Sequence, residues 1–214
     1  MKKGCILCLL ISVISLPLIA QNIIYSNLKE LLTQHGDTTA VLRVEKRSRN
    51  QIVLTGGADY RITAGDDESM CRRLKKRCFA VRDEKGNLYL NCRKLRYKKL
   101  RFGAWYAPAV QLGKNIYFCA MPLGSVIGGN FVEEDDVKLG GNIGDALAAS
   151  SLVTKRVCYE LNGETGKVDF LGKDRMLQLL KNYPELKQAY LKDDSQEAKH
   201  TFKYLLELQN KQNK

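Results

Sequence analysis

The chain has 214 residues, 44% of them apolar and 27% charged, which excludes wholesale disorder and allows one domain to bury a core without relying on disulfides or metal. A formal charge of +12, from 35 Lys and Arg against 23 Asp and Glu, points to anionic partners: nucleic acid, lipid headgroups or acidic polysaccharide. Compartment decides among them.

Lys2 and Lys3 precede the apolar run Ile6 to Leu16, which Pro17 breaks before Leu18-Ile19-Ala20. This is the order of a secretory signal, so residues 1–20 are expected to be cleaved and residues 21–214 to form a single exported domain. A retained anchor is the weaker reading, because Gly4 to Ala20 is at the lower limit for spanning and contains Ser12, Ser15 and Pro17. Export predicts the periplasm or cell envelope of a Gram-negative bacterium and disfavours nucleic acid. Five cysteines remain after cleavage: Cys71, Cys78, Cys92, Cys119 and Cys158. In an oxidising space they allow at most two internal bridges. No pair has CxxC spacing, and neither a metal nor a cofactor is expected.

Ser26 is expected to cap a short helix over 27–32, with Leu28, Leu31 and Leu32 on one face and His35 solvated at its end. Residues 41–44 and 51–54 are β-rich and joined by a loop, and Tyr60-Arg61-Ile62-Thr63 alternates like a half-buried strand. Gly65-Asp66-Asp67-Glu68 reads as a solvated acidic turn.

From Cys71 to Tyr106 the chain carries thirteen Lys and Arg against Asp83 and Glu84, a balance of +11 that leaves the rest of the mature chain near −1. Residues 78–82 and 88–92 predict a hairpin around the turn 83–87, where Gly86 and Asn87 tolerate positive φ. If Ala80 faces Leu90, then Cys78 faces Cys92, close enough for a disulfide. Two reduced, buried thiols are the alternative. Arg72, Arg73, Lys75, Lys76 and Arg77 precede the hairpin, and Arg93, Lys94, Arg96, Lys98, Lys99 and Arg101 follow it. The two arms would form one cationic face for anionic lipid, polysaccharide or an envelope protein, with peripheral membrane contact. A solvated edge kept from aggregating by its charge is the competing reading.

Residues 102–106 and 115–120 read as strands, with Pro108 and the Gly113-Lys114 turn between them and Trp105 anchoring the core. Residues 121–150 form a glycine-rich insertion around Glu133-Glu134-Asp135-Asp136 and lack the Gly-Lys-Ser/Thr ending of a phosphate loop. Residues 156–161 and 167–171 form a hairpin. Asp174 is expected to cap a helix carrying Met176, Leu177, Leu179 and Leu180, and Pro184 to open another. Ala198, Phe202, Leu205 and Leu206 form the stripe of a final helix, with His200 off it. The predicted class is α+β: an antiparallel sheet of short hairpin-connected strands, an N-terminal helix and a C-terminal helical segment.

Neither GxSxG nor HExxH occurs, and His35 and His200 stand alone. A hydrolase would have to use the carboxylates at Asp66-Asp67-Glu68 or Glu133 to Asp136, and adjacent acids are more often solvated. The expected class is a non-catalytic binding module, with a structural or adaptor protein as the alternative.

Val157-Cys158-Tyr159-Glu160-Leu161, Glu164-Thr165-Gly166-Lys167 and Tyr183-Pro184-Glu185-Leu186, with Met176-Leu177 and Leu179-Leu180 between them, form a C-terminal signature. Over residues 120–192 it resembles an uncharacterised family of exported proteins from gut Bacteroidetes. The resemblance implies a Gram-negative envelope protein and supplies no catalytic residues.

Overall fold

The computed structural model describes residues 21–39, 41–48, 50–52, 57–98, 100–120, 156–193 and 198–212. Among these, ten strands pair antiparallel in one sheet. Its main path runs β12 (Val168–Phe170), β11 (Val157–Leu161), β10 (Asn115–Ala120), β9 (Tyr106–Leu112), β6 (Leu88–Asn91), β5 (Ala80–Arg82), β1 (Asn22–Tyr25) and β2 (Asp37–Thr39). A hairpin of β3 (Arg43–Lys46) and β4 (Tyr60–Thr63) joins this path where Tyr60 pairs with Tyr106 of β9. A separate two-stranded ribbon, β7 (Arg96–Tyr97) and β8 (Leu100–Arg101), follows a 3-10 turn at Cys92–Lys94. The helices are α1 (Leu28–Leu32), α2 (Glu68–Lys76), α3 (Lys173–Leu179), α4 (Pro184–Lys192) and α5 (Ala198–Gln212). The architecture is α+β, as the alternation of short apolar runs and turns predicts.

The sheet is buried on both faces, which is why β6 is buried at all four positions instead of alternating. One face presents Tyr25, Ala80, Leu90, Ala107, Phe118 and Tyr159, and it is covered by Leu31 of α1 and by Leu95, Tyr97 and Phe102. The Phe102 ring meets Phe118 and Tyr159 edge-on at 5.4 and 4.8 Å. The opposite face carries two clusters side by side. At one end Met176, Leu180, Leu186, Leu205 and Leu208 of the C-terminal helices cover Val110, Tyr117 and Cys119. At the other, Leu74 of α2 and Ile62 of β4 cover Ile24, Val81, Tyr89 and Tyr106.

Several expected boundaries move. Asn27, not Ser26, caps α1: its side chain accepts from the Glu30 amide, and the Glu30 carboxylate reaches past the cap to accept from the Ser26 amide at 2.7 Å. Residues 50–52 are helical, with the Ile52 amide bonded to the Ser48 carbonyl, so the strand expected at 51–54 is not what β3 pairs with. Gly172, not Asp174, stands at the α3 N-cap. Pro108 lies inside β9 and not between strands. The ladder alternation points position 108 away from β6, into the gap between Tyr106, which meets β4, and Ala109, where β10 begins, so no ladder bond is lost. On α5, Tyr204 and Leu208 enter the core while Leu206 stays 41% exposed. The glycine-rich segment and its Glu133 to Asp136 run lie outside the described residues.

Candidate functional site

The first cationic arm, expected only as a flank of the hairpin, is a helix. Asp67, expected in a solvated turn, is its N-cap, accepting from the Met70 amide at 2.8 Å. Arg73, Lys75 and Lys76 lie in its last turn, where the helix macrodipole favours cations. Met70 and Leu74, four apart, face the core.

The helix ends against the sheet, and its last carbonyls need partners. The Tyr106 hydroxyl donates to the Leu74 carbonyl at 2.7 Å, and the Asn91 amide donates to the Leu74 and Cys78 carbonyls at 3.1 and 3.0 Å. Asn91 Oδ1 in turn accepts from the Arg93 amide at 3.1 Å and starts the 3-10 turn. One buried asparagine therefore sets Lys75 of the first arm beside Arg93 of the second. Both line an open, shallow groove with Ile62, Asn91, Ala104, Trp105 and Tyr106.

Trp105 is half-buried, has φ +76° and accepts at its carbonyl from the Cys92 amide at 2.8 Å. Packing of its ring against the core is only part of its role. The Arg47 and Arg61 guanidiniums lie 5.1 and 5.8 Å from its ring centre. Arg47 belongs to the scaffold: it is 7% exposed and donates to the Ala58 carbonyl at 2.7 Å and the Gln51 carbonyl at 3.0 Å. Arg61 is exposed. Gly57 makes this packing feasible. It has φ +81°, and a Cβ there would sit 2.3 Å from the Ala104 carbonyl oxygen.

The remaining cations of the expected face divide. Arg73 is tied to Asp37 and also reaches Ser26, away from the groove. Lys94 is close enough to Cys78 for its charge to favour the thiolate, as Arg73 does. Arg96 and Arg101 are exposed and directly opposed across β7 and β8, an arrangement of like charges that costs stability without an anion between them. Lys98 turns back over the Tyr97 ring at 5.6 Å. Arg72, Lys76 and Arg77 are exposed, and Lys99 lies outside the described residues.

Of the two readings of Cys78 and Cys92, the structure shows the second: both are free, buried thiols with no bridge between them. The Ala80–Leu90 register is as predicted, but regular pairing of β5 ends there. The Cys78 amide closes the end of α2 on the Arg73 carbonyl, and Cys92 enters the 3-10 turn. The two side chains consequently join clusters on opposite faces of the sheet. Burial raises the Cys78 thiol to about 11 and the Cys92 thiol to about 12, so both stay protonated. The disulfide joins Cys119 and Cys158, directly opposed on β10 and β11.

The carboxylates with resolved partners are committed to structure. Asp59 is bridged to Arg156, whose Nε donates to its two oxygens at 2.9 and 3.0 Å. Glu160 accepts from Asn115 at 2.6 Å, Tyr117 at 2.9 Å and Arg175 at 2.8 and 2.9 Å. Burial pushes the Glu160 carboxyl up, and the bonds from Arg175, Tyr117 and Asn115 outweigh it, leaving the group below its ordinary value. Among the described residues, no three His, Cys, Asp or Glu side chains are grouped to hold a metal. His200 contacts Asp193 at 2.8 Å, linking α5 to the end of α4.

The chain belongs to a family of unknown function, DUF6563. The family model matches residues 23–212, much more of the chain than the C-terminal signature noted in the sequence. No curated protein and no solved structure matches it. Sequence reasoning missed Trp105 as a groove residue and Arg61 as the exposed cation beside its ring. The available signal was the pairing of the Tyr60 strand with the Tyr106 strand, which sets Arg61 beside Trp105.

Proposed function

We propose that this protein is an exported, non-catalytic envelope protein that docks on an anionic surface through its cationic face. One observation carries the reading: Lys75 and Arg93, from runs separated in sequence by a β-hairpin, line one groove. Among the described residues, no ion pair neutralises either side chain. The opposed Arg96 and Arg101 add a second cluster that an anion would relieve. Each Lys or Arg near an anionic surface contributes about 1 kcal/mol, so a handful acting together suffices for reversible docking. The signal-like residues 1–20 support the envelope as the setting.

Co-sedimentation with vesicles tests the proposal. Binding to phosphatidylglycerol vesicles is expected at low salt and not to phosphatidylcholine vesicles, and it should fall steeply as ionic strength rises. Charge reversal at Lys94, Arg96, Lys98 and Lys99 should reduce it further. Binding that persists at high salt would point to apolar insertion and, like equal binding to neutral vesicles, would sink the electrostatic reading.

A further inference from the structure

We infer that the first turn of α5 is a gate over the Cys119–Cys158 bond, so that an external dithiol exchanges with the bond only when that turn lifts. The bond then responds to its redox surroundings while the sheet stays folded. It joins directly opposed residues of β10 and β11, and both sulfurs face one atom, the Ala198 carbonyl oxygen, at 3.7 and 3.4 Å. Ala198 is the first residue of α5, and Cys119 and Cys158 are only 7% and 3% exposed beneath it. Disulfide exchange begins with a thiolate reaching one of the two sulfurs. With Ala198 in place, the helix start occupies that approach.

The two ends of α5 are held differently. Toward its C-terminal end Leu205 and Leu208 are fully buried in the core, and Gln209 donates to the Gln111 carbonyl at 3.1 Å. The first turn buries only Ala198 and Thr201, both small side chains. Polar contacts tie it to the end of α4: His200 Nδ1 meets the Asp193 carboxylate at 2.8 Å, and the Tyr204 hydroxyl donates to the same oxygen at 3.4 Å. Apolar stabilisation scales with buried area, so lifting this turn costs much less than lifting the helix.

The step balances with a dithiol as the reductant. One of its thiolates bonds to a cysteine sulfur and breaks the S–S bond, and the other cysteine leaves as a thiolate that takes up a proton. The reagent's second thiol then displaces the first cysteine. The reagent departs as a cyclic disulfide, and two electrons and two protons have passed to the protein. Both new thiols can donate to the Ala198 carbonyl they already face, so the turn closes again over the reduced pair. Cys78 and Cys92 do not supply the reducing thiols, because both are buried in other clusters.

Reduction kinetics under native conditions test the gate. The purified protein is incubated with dithiothreitol at fixed pH and increasing, sub-denaturing urea, and reduction is read by mass as alkylated Cys119 and Cys158 peptides. The rate should depend on urea far less steeply than global unfolding does. His200→Ala, which removes one tie of the turn, should speed reduction about tenfold. Ile24→Val, in the separate cluster under α2, should lower the unfolding midpoint and leave the low-urea rate within about twofold. A urea slope equal to that of global unfolding overturns the gate, as does a rate that His200→Ala leaves unchanged or that Ile24→Val raises equally. Reduction as fast as in the urea-unfolded chain overturns it too, since the bond would then be open to reagent without any motion.

Discussion

Breaking the Cys119–Cys158 bond should lower stability by an amount that loop length sets. The bonded residues are 39 apart in sequence, and the chain between them includes the glycine-rich segment. For a loop of this length the chain-entropy model gives about 4 kcal/mol at 25 °C. For a domain of this size that corresponds to a drop in Tm of about 8–16 °C. The bond also has a specific neighbourhood. Both sulfurs lie beside the Ala198 carbonyl at the start of α5, at 3.7 and 3.4 Å, beneath the helical layer. Two arms separate covalent constraint from packing. Reduced wild-type protein keeps the sulfur atoms, whereas the Cys119→Ala/Cys158→Ala variant also loses their volume and should fall about 1 kcal/mol further per site. Thermal and urea unfolding under oxidising and reducing conditions read the total, and amide exchange reads its distribution. Protection should fall in β10, β11 and α5 before it falls in β1, β5 and β6. Oxidised and reduced protein melting within about 2 °C of each other would refute the loop-closure reasoning.

Peptide mapping without reduction should link Cys119 to Cys158 and recover Cys78 and Cys92 as free thiols; a Cys78–Cys92 peptide would contradict the placement of these residues on opposite faces of the sheet. In the native protein an alkylating reagent should reach the half-buried Cys71 well before Cys78 or Cys92, which are 0% exposed; equal labelling rates would contradict that burial. Gly163→Ala places a Cβ 1.8 Å from the Lys114 carbonyl oxygen, so the turn after β11 must move, at a cost of about 1–3 kcal/mol in urea unfolding; an unchanged midpoint would contradict the close approach. The Glu160 carboxyl is depressed in the folded chain, so it contributes stability above its ordinary value of 4.5 that is lost as pH falls through the folded value. Glu160→Gln should cost about 1–2 kcal/mol at neutral pH and flatten the acid side of the stability profile; a parallel profile would remove Glu160 as its source.

What the sequence determined by itself was local. The Ala80–Leu90 register and the β11–β12 hairpin follow from alternation and turn residues within a few positions. Pro184 at the start of α4 and the capped helix near Leu28 follow from backbone preferences. The concentration of charge between Cys71 and Tyr106 is likewise plain in the chain. Tertiary structure decided which of those charges act together. Lys75 and Arg93 meet because a buried asparagine holds a helix end and a 3-10 turn at one point, and neither contact has a periodic signature. Arg61 reaches Trp105 only through the crossing of β4 onto β9, which pairs Tyr60 with the distant Tyr106. Cysteine pairing follows the same logic: the geometric rule of directly opposed strand residues applied to Cys119 and Cys158. At Cys78 a helix end intervened and turned the side chain to the other face. Short-range patterns set elements, while the close approach of distant elements sets chemistry, because a charge or a thiol is defined by what surrounds it.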